Sequence, residues 1–148
     1  MKVFDHITLR SFCRATEDLE KVAMAIMFVA GTDDKEDVLI TELEGYGGSP
    51  LKMLEVRLSR QKEILAFWKS LPEDVLSRLL KELEERVDEE QVLHFRLDKE
   101  RAYMGDISLI SRGAVISIDA KILSYPANRD AAVSNAGEFL QNVLNQRK

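Results

Sequence analysis

Cysteine occurs once in the 148 residues, histidine twice, proline three times, and aromatic side chains make up only 7%. The lone Cys13 excludes an internal disulfide and any multi-cysteine zinc site, and it fits a reducing compartment. No apolar run exceeds the nine residues Val22 to Ala30, short of the roughly 18 to 20 that a membrane helix needs, and MKVFDHITLR opens the chain without a signal-type h-region. A soluble, unsecreted, cytoplasmic protein is therefore expected. Repeats, low-complexity tracts and Pro/Gly/Ser-rich linkers are also missing, which points to a single domain over residues 1–148. A chain of this length buries about 68 to 70% of its unfolded surface without a metal or disulfide staple.

Charge is what the sequence has in quantity. Charged residues make up 32%, and 26 acids outweigh 21 Lys and Arg for a net charge of -5, which argues weakly against a nucleic-acid partner. The sum hides the distribution. Residues 17–44 hold nine acids against two cations and residues 73–90 eight against three, whereas 1–16, 45–72 and 96–148 are each mildly basic.

Hydrophobic periodicity sets the elements. Alternation over Val3 to Phe12 predicts a strand, and Leu19, Val22, Ala23, Ile26 and Val29 predict a helix that opens at an N-cap Thr16 and stops at Gly31. Val38–Leu43 and Lys52–Ser59 read as a hairpin around GYGGSP. A helix over Gln61–Leu71 is followed by a second, begun by Pro72 in its first turn and carrying Val75, Leu76, Leu79, Leu80, Leu83 and Val87. Strands over Val92–Leu97, Ile107–Ile110 and Ala114–Leu123 and a closing helix over Arg129–Gln146 complete the order β-α-β-β-α-α-β-β-β-α. This is an α+β domain, a mostly antiparallel sheet with helices packed on one face. Parity leaves His6, Thr8, Arg10, Glu55, Arg57, Ser59, His94, Arg96, Ser117, Asp119 and Lys121 on the other face, and the acidic blocks in the helical layer.

Most candidate sites reduce to structural roles. Asp33, Asp34, Glu36 and Asp37 lack the ligand spacing of a calcium loop and read as a solvated turn. His6 and His94, if on neighbouring strands, make an incomplete metal or acid/base pair, and no HExxH or CxxC accompanies them. No signature surrounds Cys13, GYGGSP matches no nucleotide-binding glycine motif, and Phe67 and Trp68 belong to a core helix face. No catalytic residue, cofactor or metal is expected. The basic positions remain. EVRLSRQKEI sets Arg57, Arg60 and Lys62 at a strand-to-helix transition, and RLDKERAYMGD gathers Arg96, Lys99, Arg101 and Tyr103. Guanidinium groups bind phosphate in pairs of hydrogen bonds and bases stack on aromatic rings. Cross-strand ion pairing with Glu55, Asp98, Glu100 and Asp119 is the alternative. No pair of strand aromatics of the RRM type stands out.

The strings HITLRSF and ATED, EGYGGSP, EVRLSRQKEILAFW, RLDKERAYMG and YPANR run in order from His6 to Arg129, and together they resemble an archaeal family of small RNA-binding proteins described as exosome-associated subunits. The family's fold is similar to that of the large-subunit ribosomal protein that binds 5S ribosomal RNA. In relatives a basic or polar residue flanks the Tyr-Gly and an Asn precedes the Pro, a pattern that Gly45-Tyr46-Gly47-Gly48-Ser49-Pro50 departs from, so no RNA contact is assigned to this turn. The resemblance implies a non-enzymatic RNA-binding protein, an accessory of RNA processing or of ribosome-related RNA, with RNA-processing proteins as further partners. Arg10, Arg57, Arg60, Lys62, Arg96, Lys99, Arg101 and Arg129 are the expected phosphate contacts and Tyr103 the base platform. The rival reading is a protein-interaction module or homodimer that uses the polar sheet face or an edge strand. A hydrolase built on His6 or His94 ranks last.

Overall fold

A computed structural model describes residues 2–147, and only the backbone of Tyr46. Five strands, β1 (Phe4–Arg14), β2 (Leu39–Glu44), β3 (Pro50–Leu58), β4 (Val92–Asp98) and β5 (Val115–Ile122), form one open sheet in the order β2-β3-β1-β5-β4. Of six helices, α1 (Leu19–Ala30) follows β1, α2 (Gln61–Ser70), α3 (Glu73–Lys81) and α4 (Leu83–Arg86) follow β3, α5 (Lys99–Tyr103) follows β4 and α6 (Arg129–Asn145) follows β5. The sheet is antiparallel. In β2 and β3 Leu39 pairs with Glu55 and Leu43 with Leu51, and along β1 and β5 Leu123 donates to the Val3 carbonyl while Ser11 donates to that of Val115. The α+β class and the mostly antiparallel sheet expected from the sequence are both present.

The chain folds into two compact, interleaved units. The first holds Met1–Ile7, Leu58–Phe95 and Ile118–Lys148. Its centre is aromatic: the Trp68 ring lies 4.9 Å from Phe4, 5.2 Å from Phe67 and 5.9 Å from Phe95, and Phe4 meets Phe139 edge-on. Large rings in tilted and edge-on contact bury much apolar area, with each pair contributing about 1 kcal/mol beyond it. The second unit holds Thr8–Arg57 and Arg96–Ser117. Here Leu9, Leu54, Val56, Leu97 and Ile116 of the strands and Val22, Ile26 and Val29 of α1 are buried.

Local chemistry explains where the elements depart from their pattern. α1 is capped by Asp18, whose carboxylate accepts from Glu20 N–H at 2.9 Å, not by Thr16; Gly31 closes it at φ 81, a left-handed conformation that a Cβ disfavours. The helix after Pro72 is two. Glu82 leaves helical geometry while its carboxylate takes the guanidinium groups of Arg78 and Arg86, and Val87 then bridges to Leu93, which pulls the chain out of the helix. Pro72 is the N-cap. Ile107–Ile110 forms no strand, only a bridge from Leu109 to Leu97, because α5 and its turn intervene after Asp98.

Candidate nucleic-acid interface

Strand parity decides which side chains meet solvent. In the second unit Ser11 and Cys13 are buried while Arg10, Phe12 and Arg14 are not, and Leu54, Val56 and Leu58 alternate with Glu55 and Arg57. Arg10 directs its Nε to the Glu55 carboxylate at 3.4 Å, so these two antiparallel strands present one face. Arg57 is exposed and has no ion-pair or hydrogen-bond partner for its side chain among the described residues. Arg96, exposed on β4, donates to the Ser111 carbonyl at 2.8 Å. This unit's face carries the arginines that alternation predicts.

The other basic positions of this unit divide. Arg101 pairs with Asp106 at 3.1 Å, and both side chains are more than half exposed, a bond that water and salt weaken readily. Tyr103 is 39% exposed with the Lys21 ammonium 5.4 Å from its ring centre, and both line an open depression of about 430 Å³ with Glu17, Asp18 and Glu100. Lys99 is buried. Only 9% of its side chain is exposed, its ammonium is 2.7 Å from Glu17 and 2.8 Å from the Phe12 carbonyl, and burial commits it there rather than to a phosphate. Burial works against Glu17, but the Lys99 ammonium and the Arg14 N–H hold its carboxyl below the ordinary carboxylate value.

In the first unit Arg60 and Lys62 stand at the start of α2, exposed, with no side-chain partner among the described residues. The Glu63 carboxylate accepts from the Arg60 N–H at 3.4 Å, the half of a capping box that an arginine can make. Arg57, of the second unit, precedes Arg60 by three residues in the chain. Arg129 is instead clamped: its Nε donates to the Val87 carbonyl at 2.9 Å and its guanidinium holds both the carboxylate and the carbonyl of Glu84. It is a brace between α6 and α4, and these contacts occupy its guanidinium.

His6 and His94 do not stand on neighbouring strands, since β5 separates β1 from β4. His6 hydrogen-bonds Asp5 at 2.8 Å. His94 meets Asp88 through Nε2 and Asp119 through Nδ1, both at 2.6 Å. Partial burial opposes a charge there, but the two carboxylates outweigh it and raise the imidazole pKa from its ordinary value; with a carboxylate 2.6 Å from each ring nitrogen, neither is open to a metal. This triad was hidden in the sequence, where its members lie six and twenty-five residues apart. Among the described residues no group of three His, Cys, Asp or Glu is placed to hold a metal ion. Burial pushes the Cys13 thiol up, away from nucleophilic reactivity. The acidic turn after Thr32 spends its groups locally, Asp34 accepting from Glu36 N–H at 2.9 Å and Lys35 pairing with Glu20. No described helix is long and apolar enough to cross a membrane.

An open five-stranded antiparallel sheet with helices in its connections, and a solvent face that carries arginines, defines a small α+β domain. Comparison with known proteins makes the class specific: the chain belongs to the RNA-binding family, whose model, described as RNA binding, matches residues 6–122. The RNA-binding protein PAB1135 of Pyrococcus abyssi is 31% identical over 92% of this chain and 93% of its own length. The uncharacterized protein MJ0213 of Methanocaldococcus jannaschii is 29% identical over 96% of this chain and 99% of its own. Among solved structures, that of Mth689, a DUF54 protein from Methanothermobacter thermautotrophicus, superposes with a TM-score of 0.78 at 31% identity, covering 94% of this chain and 99% of that one.

Proposed function

We propose that this protein is a non-enzymatic, cytoplasmic RNA-binding protein that acts as an accessory of RNA processing, exosome-linked or ribosome-related, through contacts dominated by phosphates. One observation carries the reading: Arg57, Arg60 and Lys62 follow one another closely in the chain, are all exposed and lack side-chain partners among the described residues. Unpaired cations give up no ion pair when they meet a phosphate. Arg96 and Arg101 follow, held at the surface by the Ser111 carbonyl and by Asp106, and Arg10 pairs with Glu55. Family membership supports the same partner.

Binding of single-stranded RNA should weaken with salt at about 0.7 log units per phosphate neutralised, so four or five contacts give a slope near -3. Replacing Arg57, Arg60 and Lys62 by Ala should flatten that slope by about 2. An unchanged slope in the triple variant, or no binding at low salt, would overturn the reading. A second reading has its own support: β2 is an edge strand with Leu39, Ile40 and Leu43 exposed, and such an edge pairs with another chain. Light scattering that shows a dimer lost on Leu43→Lys would favour it.

A further inference from the structure

The charged residues leave one side chain of the sheet face unexplained. Phe12 stands on β1 with 48% of its surface exposed, between the buried Ser11 and Cys13. Burying a phenyl ring is among the larger favourable contributions a side chain can make, and here the fold leaves it in water. The position is not loose. The buried Lys99 ammonium donates to the Phe12 carbonyl at 2.8 Å and is itself fixed by Glu17, so the backbone beneath the ring is anchored from below.

The surroundings follow from pairing. Arg10 reaches Glu55 on the neighbouring β3, and the face of β3 that carries Glu55 also carries Met53, which pairs with Thr41, and Leu51, which pairs with Leu43. Apolar side chains thus line this face from β3 toward β2, and the same face of β1 and β3 carries Arg10, Arg14 and Arg57 against one acid, Glu55. A flat ring on a face of apolar side chains with an excess of cations complements a nucleotide, base on ring and phosphate on guanidinium. The same excess opposes a second copy, since a twofold contact would set these arginines against themselves.

We propose that Phe12 is a base-stacking platform, and that the ligand class of this face is therefore single-stranded RNA, because the bases of a duplex are already stacked on one another. The proposal rests on the RNA-binding reading above and sharpens it. The test compares the full chain and its variants by fluorescence anisotropy on a labelled oligoadenylate of about 12 nucleotides, an abasic strand of equal length and charge, and a duplex. Wild type should prefer the oligoadenylate to both others. Phe12→Ala should weaken oligoadenylate binding by about 5- to 150-fold with little change on the abasic strand and none in salt slope, and Phe12→Trp should restore it. Because the ring is exposed, the melting temperature of Phe12→Ala should match wild type, which separates loss of contact from loss of fold. If Phe12→Ala binds the oligoadenylate within twofold of wild type while the Arg57, Arg60 and Lys62 variant fails, the platform is wrong and the phosphate reading stands. If wild type binds none of the strands, both fall. A wild-type dimer that Phe12→Ala dissociates would make the face an interface between copies and would equally overturn the platform.

Discussion

His94 holds two carboxylates at once, and that ties its energetics to pH. Its folded pKa is raised, so its contribution is complete below the unfolded value near 6.5 and is lost as pH climbs through the higher folded value. For Asp88 burial works in the opposite sense, but His94 and the N–H groups of Val92 and Glu90 lower its pKa, and its contribution is lost only as pH falls below its ordinary 3.8. Both act between those limits. With 47% of the His94 side chain exposed, solvent screens the triad, and replacing His94 by Asn should cost no more than about 1 kcal/mol at pH 5.5 and still less at pH 8.5. Urea unfolding of both proteins at the two pH values measures this; a cost that grows with pH would contradict it. Residue-level legibility followed contact range. Arg10, Arg57 and Arg96 were readable from alternation, because exposure on a strand is a local property. The fates of Lys99 and Arg129 were not, since Glu17 and Glu84 lie far away in the chain and only folding brings them close.

Elements with strong periodicity and capping chemistry were legible nearly to their ends. α6 begins at Arg129 with Asn128 accepting from Ala131 N–H, and α1 ends at Gly31 as expected. What escaped were pieces too short for a period to register. α5 has five residues, its Asp98 cap sits inside a string of charges, and its presence reduces the expected strand at Ile107–Ile110 to one bridge. α1 was expected to open at Thr16, but its cap is Asp18, whose carboxylate accepts from the Glu20 N–H, while the Glu17 carboxylate is taken by Lys99 and the Arg14 N–H. Replacing Asp18 by Ala should then cost about 1 kcal/mol, and Thr16→Ala almost nothing. Thermal melts of the two variants separate these outcomes, and equal losses would show that the cap is shared.

Across the whole molecule the sheet order, not the chain order, decides what is close. Trp68 is the sole tryptophan, is fully buried, and touches Phe4, Phe95 and Phe139, which come from the beginning, middle and end of the chain. Its emission should therefore be blue-shifted in the native protein and move to longer wavelength in one step as urea unfolds the first unit. A chain ending before Arg129, which lacks α6, should show the long-wavelength emission without denaturant; a native-like spectrum would mean that the remaining segments close the core alone. The same interleaving bears on synthesis. Neither unit is a continuous stretch, and the first needs both β1 and α6. At roughly 5 to 20 residues per second, β1 leaves the ribosome on the order of ten seconds before α6 exists to cover its aromatic partners. In the later part of that interval, once α2 has been made, the nascent chain shows Phe4, Phe67 and Trp68 to the cell, which makes it a natural client for chaperones that shield apolar segments.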